Sequence, residues 1–146
     1  MKPKIAVPFD FSDGARVALA WAADLHRTAG GEPIRMIHAV SCLPLGSLEV
    51  PLQPLMPTAE EIAELSRRMV EIAATHEVVA VGEVAVRASP VGDAILDAAA
   101  QAGAELIVMG THGRTGVRRL VLGSVAEYVL RHAECPVVTV RAHRAK

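Results

Sequence analysis

Residues 105–125 read ELIVMGTHGRTGVRRLVLGSV, an apolar run followed by a glycine-rich segment and a second apolar run. The run at residues 105–109 lacks polar alternation, which is typical of a strand buried on both faces of a parallel sheet. A helix is predicted over residues 125–132, with Ser124 as its N-cap and Pro136 beyond its end. The segment therefore predicts a strand, a glycine-rich loop and a helix, in that order.

Four further strands are predicted on either side of this segment. They cover residues 4–9, 34–40, 78–87 and 136–141. The second half of the third strand, at residues 83–87, alternates polar and apolar residues, as a strand nearer a sheet edge does.

Three further helices are predicted from their start and stop signals. The first begins after Ser12 and ends before Gly30, and its apolar stripe consists of Val17, Trp21 and Leu25. The second begins at Thr58, which has a glutamate three residues later and so forms a capping-box pattern. The third is predicted to have Ser89 as its N-cap and Pro90 as its first residue.

Strands that alternate with helices predict an α/β fold with right-handed crossovers. We expect one domain over residues 1–146, a doubly wound, five-stranded parallel sheet in the common order 3-2-1-4-5, with helices on both faces. The irregular stretch at residues 41–57 is too long for an ordinary connection, and it is interpreted either as a mobile loop or as a functional flap.

Composition narrows the class of protein. No apolar run approaches the roughly 18 residues of a membrane span, and the start of the chain lacks an export leader, so we expect a soluble, cytoplasmic protein. A net charge of −1 with one Trp, one Tyr and two Phe argues against a nucleic-acid partner. Cys42 and Cys135 are too far apart for a zinc or redox motif and are interpreted as unpaired thiols.

Two strand ends carry residues suited to contact a ligand. Pro8, Phe9 and Asp10 end the first strand, and Met109 and Gly110 end the fourth. In open parallel sheets ligands bind outside the carboxyl ends of strands, where the winding reverses. We therefore expect both ends to border one site. Asp10 is alternatively a partner for the N-terminus of the first helix, where a carboxylate is favourable by about 0.3–1 kcal/mol.

The glycines between the fourth strand and Ser124 favour contact with phosphate oxygens. Glycine permits φ > 0 and lets backbone N–H groups approach a ligand without an intervening Cβ. Ser124 adds free N–H groups at the positive end of a helix dipole, and arginines at positions 114, 118 and 119 raise the local positive charge. These residues alone fit a glycine-rich turn with a solvated basic face equally well.

Other well-known motifs do not match. A Walker loop needs a lysine beside its last glycine, and a dinucleotide fingerprint needs three glycines after the first strand, where this chain has only Gly14. A serine-hydrolase elbow needs glycine where Ala126 stands. His112 has no carboxylate at a spacing that would orient it as a base, so we interpret it as a solvent-facing spacer and predict no catalytic residue.

The spacing of Gly110, Gly113, Gly123 and Ser124 matches the pattern G-2x-G-9x-G-[S/T] without a gap. In this pattern the chain resembles the nucleotide-binding branch of the universal stress protein family. The resemblance extends to the first strand, to IHAV at residues 37–40 and to the closing strand after Cys135. It implies an adenine nucleotide alpha hydrolase-like fold that binds ATP, with Mg²⁺ expected beside a triphosphate.

The resemblance also implies a set of nucleotide-binding residues. Backbone near Pro8 and Val40 would hold the adenine, Asp10 would face the ribose, and the glycine-rich segment would hold the phosphates. The predicted binding residues are Pro8, Phe9, Asp10, Val40, Met109, Gly110, Gly113, Arg114, Gly116, Gly123, Ser124 and Val125.

The leading functional prediction is a regulatory, stress-response protein that binds ATP or another adenine nucleotide. Two alternatives stay open: a slow ATPase or nucleotide-transfer enzyme, and a nucleotide-free, dimeric interaction module. A homodimer is also expected through the last strand, which begins at Pro136 and ends at Arg141, because it is apolar, β-branched and at a sheet edge. A proline at Val138 is expected to remove one hydrogen-bond donor of that edge.

Overall fold

In the computed structural model, which describes residues 2–42, 56–112 and 122–142, strands and helices alternate along the chain. The strands are β1 (Ile5–Pro8), β2 (Ile34–Ser41), β3 (Ala80–Arg87), β4 (Leu106–Gly110) and β5 (Val137–Val140). The helices are α1 (Asp13–Ala29), α2 (Ala59–Ala74), α3 (Val91–Gln101) and α4 (Ser124–His132). All paired strands are parallel, in the order β3-β2-β1-β4-β5, which confirms the predicted topology.

Each face of the sheet has its own apolar core. On one face α1 and α2 bury Leu19 and Met69 against the strands, and on the other α3 and α4 bury Ile95 and Val129. Burial of each such side chain contributes roughly 1.5–3 kcal/mol. The central strand β1 supplies side chains to both cores, so the carboxyl ends of β1 and β4 are held between two packed layers.

Two of the predicted helix starts are confirmed. The hydroxyl of Ser12 accepts a hydrogen bond from the backbone N–H of Ala15 at 3.2 Å. Thr58 and Glu61 form a complete capping box, with each side chain bonded to the backbone N–H of the other residue.

The other two predicted caps were wrong by one residue. The N-cap of α3 is Pro90, because the first helical bond runs from Ala94 N–H to the Pro90 carbonyl. The N-cap of α4 is Gly123, and Ser124 is the first helical residue, without a side-chain cap bond. Gly123 is fixed in that position because its own N–H donates to the Thr111 carbonyl at 2.6 Å.

The predicted apolar stripe of α1 is only partly buried, and most of the buried residues of α1 are others. The buried face consists of Ala15, Ala18, Leu19, Ala22 and Ala23, since small side chains let the helix approach the strands closely. Trp21 is 39% exposed to solvent. Val17 and Leu25 are partly buried, and Leu25 packs against the core on this face of the sheet.

The cysteines and the helices can also be compared with the sequence-based expectations. Cys42 and Cys135 are both free thiols of intermediate burial, and burial raises the pKa of Cys135 above its ordinary value. None of the described helices is both long enough and apolar enough to cross a bilayer.

Candidate nucleotide-binding site

A cavity of about 630 Å³ opens at the carboxyl ends of β1, β2 and β4. This volume lies within the roughly 300–1,000 Å³ typical of small-molecule sites. Nine predicted binding residues line it: Pro8, Phe9, Asp10, Val40, Met109, Gly110, Gly123, Ser124 and Val125. The other three, Gly113, Arg114 and Gly116, lie outside the described residues.

The start of α1 packs directly against the end of β4. A Cβ added to Gly110 would lie 2.7 Å from the carbonyl carbon of Gly14, and a Cβ added to Gly14 would lie 2.5 Å from the carbonyl oxygen of His112. Real side chains do not make contacts this short, so glycine at 14 and 110 is required by backbone packing. Close approach to a ligand, the reason given above for glycine at position 110, is therefore not needed to explain it, and the packing role of Gly14 was not predicted.

The start of α4 reaches the same cavity from the other side of the loop. The Gly123 N–H bonds to the Thr111 carbonyl, and a Cβ on Gly123 would lie 3.0 Å from that oxygen. This contact places Ser124 and Val125 on the cavity wall at the helix N-terminus. The first-turn N–H groups have no intrahelical acceptor, and with the helix dipole they favour an anion there.

His112 was interpreted as a solvent-facing spacer, and that interpretation was wrong. It is half-buried and lines the cavity, and its Nδ1 lies 3.0 Å from the Thr111 hydroxyl. The reason is local: Gly14 and Gly123 both pack on the backbone of residues 111 and 112, which draws this part of the loop into the fold.

A tight turn presents Asp10 to the cavity. Its Oδ1 accepts a hydrogen bond from the Ser12 N–H at 3.0 Å, within the segment that leads into α1. Between them Phe11 has φ of +66°, a left-handed conformation that costs a non-glycine residue roughly 1–2 kcal/mol. The Phe11 ring meets the Phe9 ring edge-on at 5.2 Å, and the Arg68 guanidinium lies 4.7 Å from its centre. These contacts offset the backbone cost and hold the turn.

The β1–β2 ladder ends beside this turn. Its last registered pair is Pro8 with Ile37, where the Phe9 N–H donates to the Ile37 carbonyl at 2.7 Å. The Phe9 carbonyl accepts its next hydrogen bond from a side chain, Nδ1 of His38, at 2.8 Å. Since a carbonyl oxygen only accepts, Nδ1 carries the proton.

Several lining residues were not predicted from the sequence. The apolar ones come mainly from β2 and from the helices on the far face of the sheet: Ile37, Ala39, Val91, Ile95 and Ala126. Their side chains look like ordinary core residues, and the switch-point rule pointed only to the ends of β1 and β4. Ala39 and His38 follow from the same rule applied to β2, which is also a neighbour of β1.

Within the described ranges, no group of three or more His, Cys, Asp or Glu side chains is arranged to hold a metal ion. Asp10 is the carboxylate among the residues described as lining the cavity.

Comparison with known proteins identifies the family of this chain. The model of the universal stress protein family matches residues 1–141. The chain belongs to the universal stress protein family. A universal stress protein of Methanocaldococcus jannaschii is 32% identical over 144 residues, which cover 94% of this chain and 81% of the relative. One of Thermus aquaticus is 33% identical over 141 residues, covering 94% and 97%.

A solved relative of the family contains a nucleotide. The universal stress protein from Archaeoglobus fulgidus in complex with dAMP is 28% identical, with a TM-score of 0.67 over 94% of this chain and 96% of that chain. The topology is that of the adenine nucleotide alpha hydrolase-like fold, as the resemblance implied.

Proposed function

We propose that this protein is a cytoplasmic stress-response regulator that binds ATP, or a related adenine nucleotide, at the carboxyl ends of β1 and β4. The observation that carries the proposal is that nine of the predicted binding residues line the same cavity. The dAMP complex of the Archaeoglobus fulgidus relative supports the ligand class.

The cavity has chemically distinct ends that fit the parts of a nucleotide. Ser124 and Val125 at the α4 N-terminus offer N–H groups for phosphate oxygens, and Asp10 offers a carboxylate for ribose hydroxyls. The apolar wall toward β2 and α3, which includes Ile95, suits a purine ring. We propose that the backbone of Ala39, next to the predicted Val40, meets the adenine edge. Gly113, Arg114 and Gly116 complete the phosphate site in this proposal.

One experiment tests the ligand directly. The purified protein is denatured by heat, and the released small molecules are identified by mass spectrometry, alongside titration of the ligand-free protein with ATP, ADP and AMP. Recovery or binding of an adenine nucleotide is the expected result. The absence of both would contradict the proposal and favour a nucleotide-free interaction module.

The proposal predicts a graded effect for Ser124→Ala. Because the N–H groups of α4 remain, losing one hydroxyl hydrogen bond should weaken ATP binding by only about 0.5–1.5 kcal/mol. The substitution is expected to have a modest effect on the fold, since Ser124 is the first residue of α4 and not its N-cap. Calorimetric titration of both proteins measures the difference, and an unchanged affinity would remove Ser124 from the site.

Hydrolysis is expected to be slow. Residues 2–42, 56–112 and 122–142 bring no lysine to the cavity wall, and Asp10 is engaged by a backbone N–H. We therefore expect turnover well below the roughly 1–100 s⁻¹ of kinases. A steady-state phosphate-release assay measures it, with His112→Ala as the matched variant because His112 lines the cavity. Turnover in the kinase range that His112→Ala abolishes would favour the ATPase alternative.

Mg²⁺ would bind at this site only together with the nucleotide. Mg²⁺ prefers six oxygen ligands and retains several waters, and the described wall offers it the Asp10 carboxylate. In the proposed complex the phosphate oxygens and water would supply the other ligands. The ion would neutralise phosphate charge.

We also propose that the protein is a homodimer paired through β5. This strand lies at the edge of the sheet, and all four of its residues are partly exposed. Val138 and Val140 pack against the core on the α1 side of the sheet. An antiparallel pair of β5 strands would satisfy the edge hydrogen bonds about a two-fold axis.

A further inference from the structure

The backbone of β2 leaves the β1 ladder at one position beside the cavity. In a parallel strand the N–H and C=O of a residue point to the same neighbour, and successive residues alternate between neighbours. Ile37 points to β1, since its carbonyl accepts from the Phe9 N–H. His38 therefore points its backbone to β3, and Ala39 points its N–H and C=O to the β1 side.

The next rung of a continuous ladder would join the Ala39 N–H to the Phe9 carbonyl. The registered β1–β2 pairs stop before that rung, at Pro8 with Ile37. The Phe9 carbonyl is instead occupied by His38 Nδ1 at 2.8 Å. The imidazole thus takes the place of a backbone donor, and the peptide groups of Ala39 face the cavity that Ala39 lines.

The imidazole is held in this position by its surroundings. His38 is 9% exposed, and its ring meets the Phe11 ring edge-on at 5.3 Å. Phe11 has a left-handed backbone conformation, so the chain turns away from β2 within two residues of Phe9. The separation of β2 from β1 and the hydrogen bond from His38 to the Phe9 carbonyl therefore occur together.

We propose that His38 is a positioning residue that keeps the Ala39 peptide groups available to read the edge of a purine. The inference deepens the proposed function and rests on it for the identity of the ligand. An N–H and a C=O on one residue match the N1 acceptor and N6 donor of adenine, whereas guanine presents a donor and an acceptor in the opposite order. His38 would thereby set the preference for adenine through the position of the Ala39 peptide groups.

Two substitutions separate this role from simple packing. His38→Leu removes the donor, so the Phe9 carbonyl is expected to recruit the Ala39 N–H and close the ladder. His38→Asn keeps an N–H donor attached at Cγ, as Nδ1 is, and is expected to keep the wild-type arrangement. We expect ATP affinity to fall about 5- to 150-fold in His38→Leu, for two lost hydrogen bonds. GTP affinity should change little, so the ATP preference should shrink, and His38→Asn should restore it.

Amide hydrogen exchange in the nucleotide-free protein provides a readout that needs no ligand. In wild type the Ala39 amide should exchange faster than those of Ile37 and Val40, which the β1 and β3 ladders protect. In His38→Leu the Ala39 amide should become protected. If the Ala39 amide is already protected in wild type, or if His38→Leu changes neither exchange nor the ATP-to-GTP ratio, the inference is overturned. If exchange behaves as expected and wild type binds no purine nucleotide, the strand arrangement stands and the proposed function fails.

Discussion

Gly110→Ala is expected to destabilise the protein and to weaken nucleotide binding together. The added Cβ would lie 2.7 and 2.8 Å from the carbonyl carbon and oxygen of Gly14, which are backbone atoms of α1 and cannot rotate away. Either the start of α1 or the end of β4 must move. Overpacking of this kind costs about 1–3 kcal/mol, which lowers Tm by roughly 3–12 °C in a chain of this size.

The expected effect on binding arises because the start of α1 and the end of β4 adjoin residues that line the cavity. The start of α1 follows the turn in which the Ser12 N–H donates to Asp10. The end of β4 leads into Thr111, whose carbonyl accepts a hydrogen bond from the Gly123 N–H. Displacement of either should remove one or two ligand hydrogen bonds, at about 0.5–1.5 kcal/mol each, for roughly tenfold weaker ATP binding.

Gly103→Ala is the matched control. Gly103 has φ of +65° but open space around a Cβ, so alanine there costs conformational energy without a collision and far from the cavity. We expect it to lower Tm and leave ATP affinity unchanged. Thermal unfolding and titration on the three proteins decide the matter. A Gly110→Ala protein as stable and as tight-binding as wild type would show that β4 and α1 are not packed as described.

The fold was predictable because it depends on burial patterns that are visible in the chain. Strands buried on both faces give unbroken apolar runs, and the alternation of strands and helices leaves few topologies. The helix starts were predicted less accurately than the strands. Ser12 and Thr58 cap their helices, whereas Pro90 and Gly123 take the cap positions predicted for Ser89 and Ser124. For α4, the cap position is held by a tertiary bond from Gly123 to the Thr111 carbonyl.

The candidate site was predictable as a location but not as a set of contacts. Strand ends, glycine spacing and the family resemblance pointed to one corner of the sheet, where nine of the predicted residues line one cavity. The packing of Gly14 on Gly110 and the bond from His38 to Phe9 depend on how separate elements meet. Such contacts leave no periodic signal in the sequence.

The direction of backbone groups at β5 is a further property that only the register reveals. The Ile107 N–H donates to the Pro136 carbonyl, and the Thr111 N–H donates to the Val140 carbonyl, each at 3.0 Å. Residues 136 and 140 therefore point to β4, and by alternation Val138 does as well. The expectation that a proline at Val138 removes an edge donor was wrong, because it would break the internal ladder instead. The outward groups belong to Val137 and Thr139.

Thr139→Pro is therefore expected to convert the proposed homodimer into a folded monomer. It removes an outward N–H at the centre of the edge and leaves the bonds to β4 in place, and proline is tolerated on edge strands. Sedimentation velocity at tens of micromolar should give a dimer for wild type and a monomer for Thr139→Pro, with circular dichroism showing that the fold is kept. Val138→Pro is the matched control, since the same residue type one position away should lower Tm by breaking the β4–β5 ladder. A monomeric wild type would refute the dimer. A Thr139→Pro protein that is folded and still dimeric would place the interface elsewhere, because no pairing through β5 could then use its central outward donor.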